Sequence, residues 1–140
     1  MATESGEMRQ VYSDTVIDHA MNPRNMGSIA NADGIGFVAG PCGDTIKIWI
    51  KMNDGKIENA TFWTDGCDTS IACGSMVTEM IKGKSMSQAL AVNQNKILHA
   101  LGGLPEDSIH CALLAANTVK VSIRDYLDLR KEPWKKAYRR

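Results

Sequence analysis

Four cysteines, Cys42, Cys67, Cys73 and Cys111, are the residues of this 140-residue chain best equipped for chemistry. None forms a C-x-x-C pair, so their spacing suggests neither a zinc ribbon nor a thioredoxin-type dithiol. Three stand apart from the apolar patterns around them: Cys42 in Pro41-Cys42-Gly43-Asp44, Cys67 in Asp65-Gly66-Cys67-Asp68, and Cys111 in Ile109-His110-Cys111. Each falls at a boundary between elements, where functional side chains concentrate. Cys42 and Asp44, two apart in a glycine-containing turn, can offer a thiol and a carboxylate to one site. Cys111 falls in the first turns of the last helix, outside its apolar arc, where the positive end of the helix dipole and the neighbouring His110 favour a thiolate. A thiolate is both a soft metal ligand and a nucleophile. Three sulfurs with one carboxylate and one imidazole suit zinc or an iron-sulfur cluster, and a carboxylate in place of a fourth thiolate predicts that a cluster is held loosely.

Cys73 shares an arc with Met76, Val77 and Met80 and reads as core, Asp68 as the N-cap of the helix that follows, and His19 and His99 as structural or solvated. A thiol enzyme with Cys111 as nucleophile and His110 as base is disfavoured, because adjacent helical residues project about 100° apart. A zinc-binding module using the same ligands remains a rival, since thiolates alone do not distinguish the metals.

These residues need elements to position them. Ser13 caps a short helix carrying Val16, Ile17, Ala20 and Met21, closed by Asn22-Pro23. Asp44 to Met52 alternates as a half-buried strand, Asn53-Asp54-Gly55 turns it, and Ile57 to Thr64 returns. The start of the first strand therefore lies beside the end of the second, which brings Cys42 and Cys67 to one edge. Helices are predicted over Thr69 to Lys82, with Gly83 as the left-handed stop, from Ser85 with a Gln88 capping box, and over Asn93 to Leu101. Leu104-Pro105 opens the last helix, whose apolar arc (Ile109, Ala112, Leu113, Ala116, Val119, Ile123, Tyr126, Leu127) lies on the sheet until Pro133. The whole chain, 1–140, reads as one α+β domain with a flexible segment at 1–11 and a basic tail at 131–140.

Composition narrows the function. Hydrophobic residues at 44% and charged residues at 23% describe a foldable globular chain. Sixteen Lys and Arg balance sixteen Asp and Glu, so no general basic field draws nucleic acid or membrane. No spanning helix or secretory signal is visible, and cysteines in such a chain point to the cytoplasm and to metal or thiol chemistry rather than disulfides.

Tyr12-Ser13 through Val16-Ile17-Asp18-His19, Asn22-Pro23-Arg24-Asn25, Cys42-Gly43-Asp44, Gly66-Cys67, Thr78-Glu79 with Lys82-Gly83-Lys84-Ser85, Leu104-Pro105 and Ile109-His110-Cys111 together resemble the iron-sulfur cluster assembly scaffold family, IscU and the amino-terminal domain of NifU. The motifs run in order from about Tyr12 to Tyr126. The resemblance implies a three-stranded antiparallel sheet, to which Gly36 to Ala39 adds a strand. It implies Cys42, Asp44, Cys67 and Cys111 as the assembly site, with His110 as an alternative ligand. It also implies a labile [2Fe-2S] cluster built from iron, zinc as an occupant of the cluster-free scaffold, and Cys111 as acceptor of persulfide sulfur from a cysteine desulfurase. The implied partners are an electron donor such as ferredoxin and recipient apo iron-sulfur proteins, with a homodimer left open.

The chain also departs from that pattern. Leu104-Pro105-Glu106-Asp107-Ser108 begins like the family's Hsp70-chaperone motif L-P-P-V-K, but Glu106 replaces the second proline and Ser108 the lysine, which counts against chaperone docking. Asp68 replaces the glycine of G-C-G, and Cys73 stands where well-known bacterial scaffolds carry serine.

Overall fold

The structure, a computed structural model, describes residues 12–41 and 43–138. The segment 1–11 expected to be flexible, Cys42, and Arg139 and Arg140 of the basic tail lie outside the described residues. Helix α1, Asp14–Met21, is capped as expected: the Ser13 Oγ accepts the Val16 amide at 3.1 Å, and the hydroxyl donates to the Leu101 carbonyl. Its buried residues are Val16 and His19, while Met21, read from the sequence as apolar face, is 62% exposed. The inward stripe is narrower than the apolar residues suggested and includes a histidine.

Strands β1 (Gly34–Ala39), β2 (Thr45–Asn53) and β3 (Lys56–Thr64) form an antiparallel sheet in that order. β1 starts two residues before the expected Gly36. In the turn between β2 and β3, Asp54 and Gly55 both have positive φ, 54° and 74°, the backbone that a two-residue hairpin needs to match strand twist. Ile46, Ile48 and Ile50 are fully buried, so the period-two alternation of β2 sets which face meets the core. The register places Ile48 between Gly36 and Phe62. On the other face Lys47 lies between Phe37 and Trp63, both exposed.

Helices α2 (Asp68–Ile81), α3 (Met86–Leu90), α4 (Gln94–Leu101) and α5 (Ile109–Lys131) complete the fold. The Ser85–Gln88 capping box opens α3, the Asn93 side chain caps α4 through the Lys96 amide, and Gly83 has φ 79° after α2. Leu104-Pro105 does not open the last helix directly. Pro105 is extended (φ −56°, ψ 148°) and leads into a 3-10 turn, Glu106–Ser108, so α5 begins at Ile109. After Lys131 the chain forms a second 3-10 segment, Pro133–Tyr138, in which Lys135 pairs with Glu132 and the Lys136 Nζ lies 3.8 Å from Asp33.

The buried face of α5 departs from the predicted arc. Leu113 and Leu127 are exposed, whereas Cys111, Thr118 and Ser122 are buried. The reason lies in β1. A Cβ on Gly36 would come within 2.5 Å of the Thr118 carbonyl oxygen and 2.7 Å of the Ser122 nitrogen. A strand with glycine at alternate inward positions lets the helix backbone settle onto it, and only small residues fit between. Thr118 and Ser122 satisfy their hydroxyls on the carbonyls of Leu114 and Val119, which makes their burial inexpensive.

Candidate metal centre

The site forms at the open end of the β2–β3 hairpin. The Gly40 amide donates to the Asp44 carbonyl at 2.6 Å and the Gly43 amide to the Gly40 carbonyl at 3.1 Å, closing the loop in front of β2. Gly43 has φ 88°, a conformation that L side chains rarely adopt. Across the sheet, the Thr45 amide donates to Asp65 Oδ1 at 2.8 Å, which holds the Asp65 carboxyl below its usual range. The Thr64 hydroxyl donates to the Thr45 carbonyl at 2.6 Å and accepts from the Gly66 amide at 3.1 Å. The two strand ends are thus tied together, and Asp44 and Gly66 face one another.

Cys67 is the N-cap residue of α2, extended at φ −75° and ψ −177°, and its side chain makes no capping hydrogen bond. Asp68, expected as the cap, is instead the first residue of the helix, exposed beside the positive end of its dipole. One turn further in, the fully buried Ser70 hydroxyl donates to Asp44 Oδ2 at 2.8 Å and lies 3.5 Å from Cys111 Sγ. The start of α5 supplies the other side: Cys111, 1% exposed, and half-buried His110, whose Nε2 is 3.7 Å from the sulfur. The ligand atoms of Asp44, His110 and Cys111 all lie within 4.8 Å of one another.

Of the site residues expected from sequence, Asp44, His110 and Cys111 therefore come together. Cys67 is exposed and is not part of that group, although its neighbour Gly66 abuts Asp44 and Ser70. Cys42 lies outside the described residues. Two further sequence readings need correction. Cys111 is buried rather than outside the packed face of its helix. The 100° offset also does not separate its sulfur from His110, whose Nε2 comes within 3.7 Å of it at the helix start. Cys73 is core, as expected: it is fully buried, and burial pushes its thiol far above the usual range, with Cys111 and Cys67 adding to the effect. His99 is exposed, and His19 is a buried structural residue bonded to Ser75.

Ser70 is the member of the site that the sequence reading missed. Its only sequence signal is a hydroxyl three residues after Cys67, on the same face of the first turn. Together these groups offer a hard oxygen, a borderline imidazole nitrogen and a soft sulfur at one mouth. That donor set accepts zinc or iron once the thiol is deprotonated.

Residues 11–133 match the family described as the NifU-like N terminal domain. Over 125 residues the chain is 48% identical to the iron-sulfur cluster assembly scaffold protein IscU of Escherichia coli strain K12, covering 86% of this chain and 97% of that one. It is 49% identical over 117 residues to the iron-sulfur cluster assembly scaffold protein IscU 1 of Archaeoglobus fulgidus, covering 83% and 76%. Among solved structures, the N-terminal part of a nitrogen-fixing NifU-like protein from Brucella abortus superposes with a TM-score of 0.68 at 20% identity, covering 86% of this chain and 97% of that one. A putative scaffold protein for the SUF system from Fervidobacterium islandicum AW-1 gives 0.65 at 21% identity, covering 82% and 98%. These two structures share the fold. The chain belongs to the NifU-like N-terminal domain family.

Proposed function

We propose that this chain is a scaffold on which a labile [2Fe-2S] cluster is assembled and from which it is passed to recipient apoproteins. The observation that carries the reading is the convergence of Asp44, His110 and Cys111 within 4.8 Å at the hairpin mouth where Cys67 begins α2. Kinship with proteins named as scaffolds supports it over a zinc-only module. Cys42, Cys67 and Cys111 serve as thiolate ligands, Asp44 as the carboxylate that keeps the cluster exchangeable, and His110 as an alternative ligand. Zinc occupies the same donors in the cluster-free protein.

Sulfur arrives as a persulfide on a cysteine desulfurase. The Cys111 thiolate attacks the outer sulfur, a new S–S bond forms on Cys111, and the desulfurase cysteine leaves as a thiolate. Reducing that sulfur to sulfide takes two electrons, supplied by a donor such as ferredoxin. The protein itself carries and assembles rather than turning over a substrate. Among the described residues no helix is long and apolar enough to cross a membrane, and thiols used in this way belong to a reducing compartment, the cytoplasm.

Anaerobic reconstitution with iron and sulfide tests the reading. The expected product is a coloured protein with equal iron and sulfide, labile to chelators, and no such product from Cys111→Ser. A colourless protein that retains only zinc under these conditions overturns it.

A further inference from the structure

The Ser70 hydroxyl is fully buried between a carboxylate and a sulfur, and it has one proton to share between them. We propose that Ser70 is a positioning residue of the metal site: its bond to Asp44 Oδ2 aims the carboxylate at the metal that Cys111 binds. The inference rests on the reading of the site given above and adds to it a residue that touches neither iron nor sulfide.

Three features carry it. The Ser70 Oγ to Asp44 Oδ2 distance of 2.8 Å is that of a well-formed O–H···O hydrogen bond. The approach is built into the fold, because a Cβ on Gly66 would lie 2.5 Å from Ser70 Oγ and 2.9 Å from Asp44 Cγ, so glycine is what lets serine and carboxylate meet. Asp44 itself lies on the loop just before β2, and α2, a rigid element, holds its side chain from outside that loop. The proton count fits this role. While Ser70 donates to Asp44, its lone pairs face Cys111. In this arrangement one hydroxyl holds the carboxylate's orientation beside the sulfur, as groups behind metal ligands commonly do.

Cobalt(II) alone, added to the metal-free full chain, reads this out through its d–d bands and its sulfur-to-cobalt charge-transfer band. Ser70→Ala is expected to weaken cobalt binding about tenfold, the lower end of what losing a group behind a ligand costs, and to shift the d–d bands toward those of Asp44→Ala. In the Asp44→Ala background the same change should have no further effect, and Ser70→Thr, which keeps the hydroxyl, should restore the wild-type spectrum. Wild-type affinity and spectrum in Ser70→Ala overturn the inference, as does an equal weakening with Asp44 absent. If the wild type shows no charge-transfer band that Cys111→Ser removes, the site itself is misread and this inference goes with it. Thermal melts of each variant separate these outcomes from misfolding.

Discussion

His19 Nδ1 lies 2.7 Å from Ser75 Oγ, and the same oxygen accepts the Arg24 amide at 2.9 Å, so one buried hydroxyl ties α1 and the loop after it to α2. Burial, and secondarily the Arg24 charge, lower the His19 pKa below its ordinary 6.5, against the smaller pull of Asp18 and Glu79. The folded protein therefore holds His19 neutral at a pH where the unfolded chain has begun to protonate it. Above about pH 6.5 both states are neutral and His19 adds no pH dependence. As the pH falls below that, the unfolded state takes up the proton first and stability drops, levelling off below the folded-state value. Urea midpoints measured from pH 8 to pH 5 should fall on the acid side, and His19→Asn should flatten that part of the curve. Ser75→Ala, which removes the partner of buried His19 and of the part-buried Arg24 amide, should cost about 1–3 kcal/mol at pH 7.

Gly66→Ala should damage the site and the fold together. The added methyl meets Ser70 Oγ and Asp44 Cγ, neither of which is the far end of a long side chain able to swing aside. Overpacking of this kind costs about 1–3 kcal/mol. Chemical denaturation should show that loss, and cobalt titration should show weakened binding, because Asp44 is displaced from Cys111. Unchanged binding in a destabilised variant would show that the Asp44–Ser70 contact does not govern the metal site.

What the sequence made legible was local. The alternation of Ile46, Ile48 and Ile50, the Asp54-Gly55 turn, and the caps at Ser13 and Ser85 each depend on a few neighbouring residues, and each is found in the structure. The hairpin placed Cys42 and Cys67 at one sheet edge, but that Asp44, His110 and Cys111 share a site was implied by the family resemblance and not by these local patterns. The face α5 buries did not follow, because the cause sits in another element: Gly34 and Gly36 bring β1 against Thr118 and Ser122, and that contact turns Leu113 and Leu127 outward. Ser70 was hidden for the same reason. Nothing within its own helix distinguishes it from an ordinary N-terminal serine until Asp44 and Cys111 arrive from either side.

Asp44→Ala should slow cluster loss. A carboxylate binds iron less softly than thiolate and exchanges more readily with water or with an incoming ligand. With alanine in its place, that exit route closes, while Cys111 and His110 keep their places in the first turn of α5. Chelator-induced bleaching of the reconstituted protein, followed by visible absorption, should be several-fold slower in the variant. Equal rates would remove the role assigned to Asp44 and leave the thiolate ligands in place.

Cys67, the N-cap of α2, and Cys73, within the same helix, should behave oppositely toward an alkylating reagent. Only the thiolate reacts, and only where the reagent can reach it. Cys67 is exposed at the helix start, whereas Cys73 is fully buried and its thiol is pushed strongly up by desolvation. In the native metal-free protein at pH 8, iodoacetamide should modify Cys67 within minutes and Cys73 only at the rate at which the core opens. Mass spectrometry of proteolytic fragments distinguishes the two, and urea should make their rates converge. Cys73→Ala should leave the yield of reconstituted cluster unchanged and cost about 1 kcal/mol through the small cavity it opens. Fast labelling of Cys73 in the folded protein, or loss of cluster in Cys73→Ala, would move this residue from the core to the site.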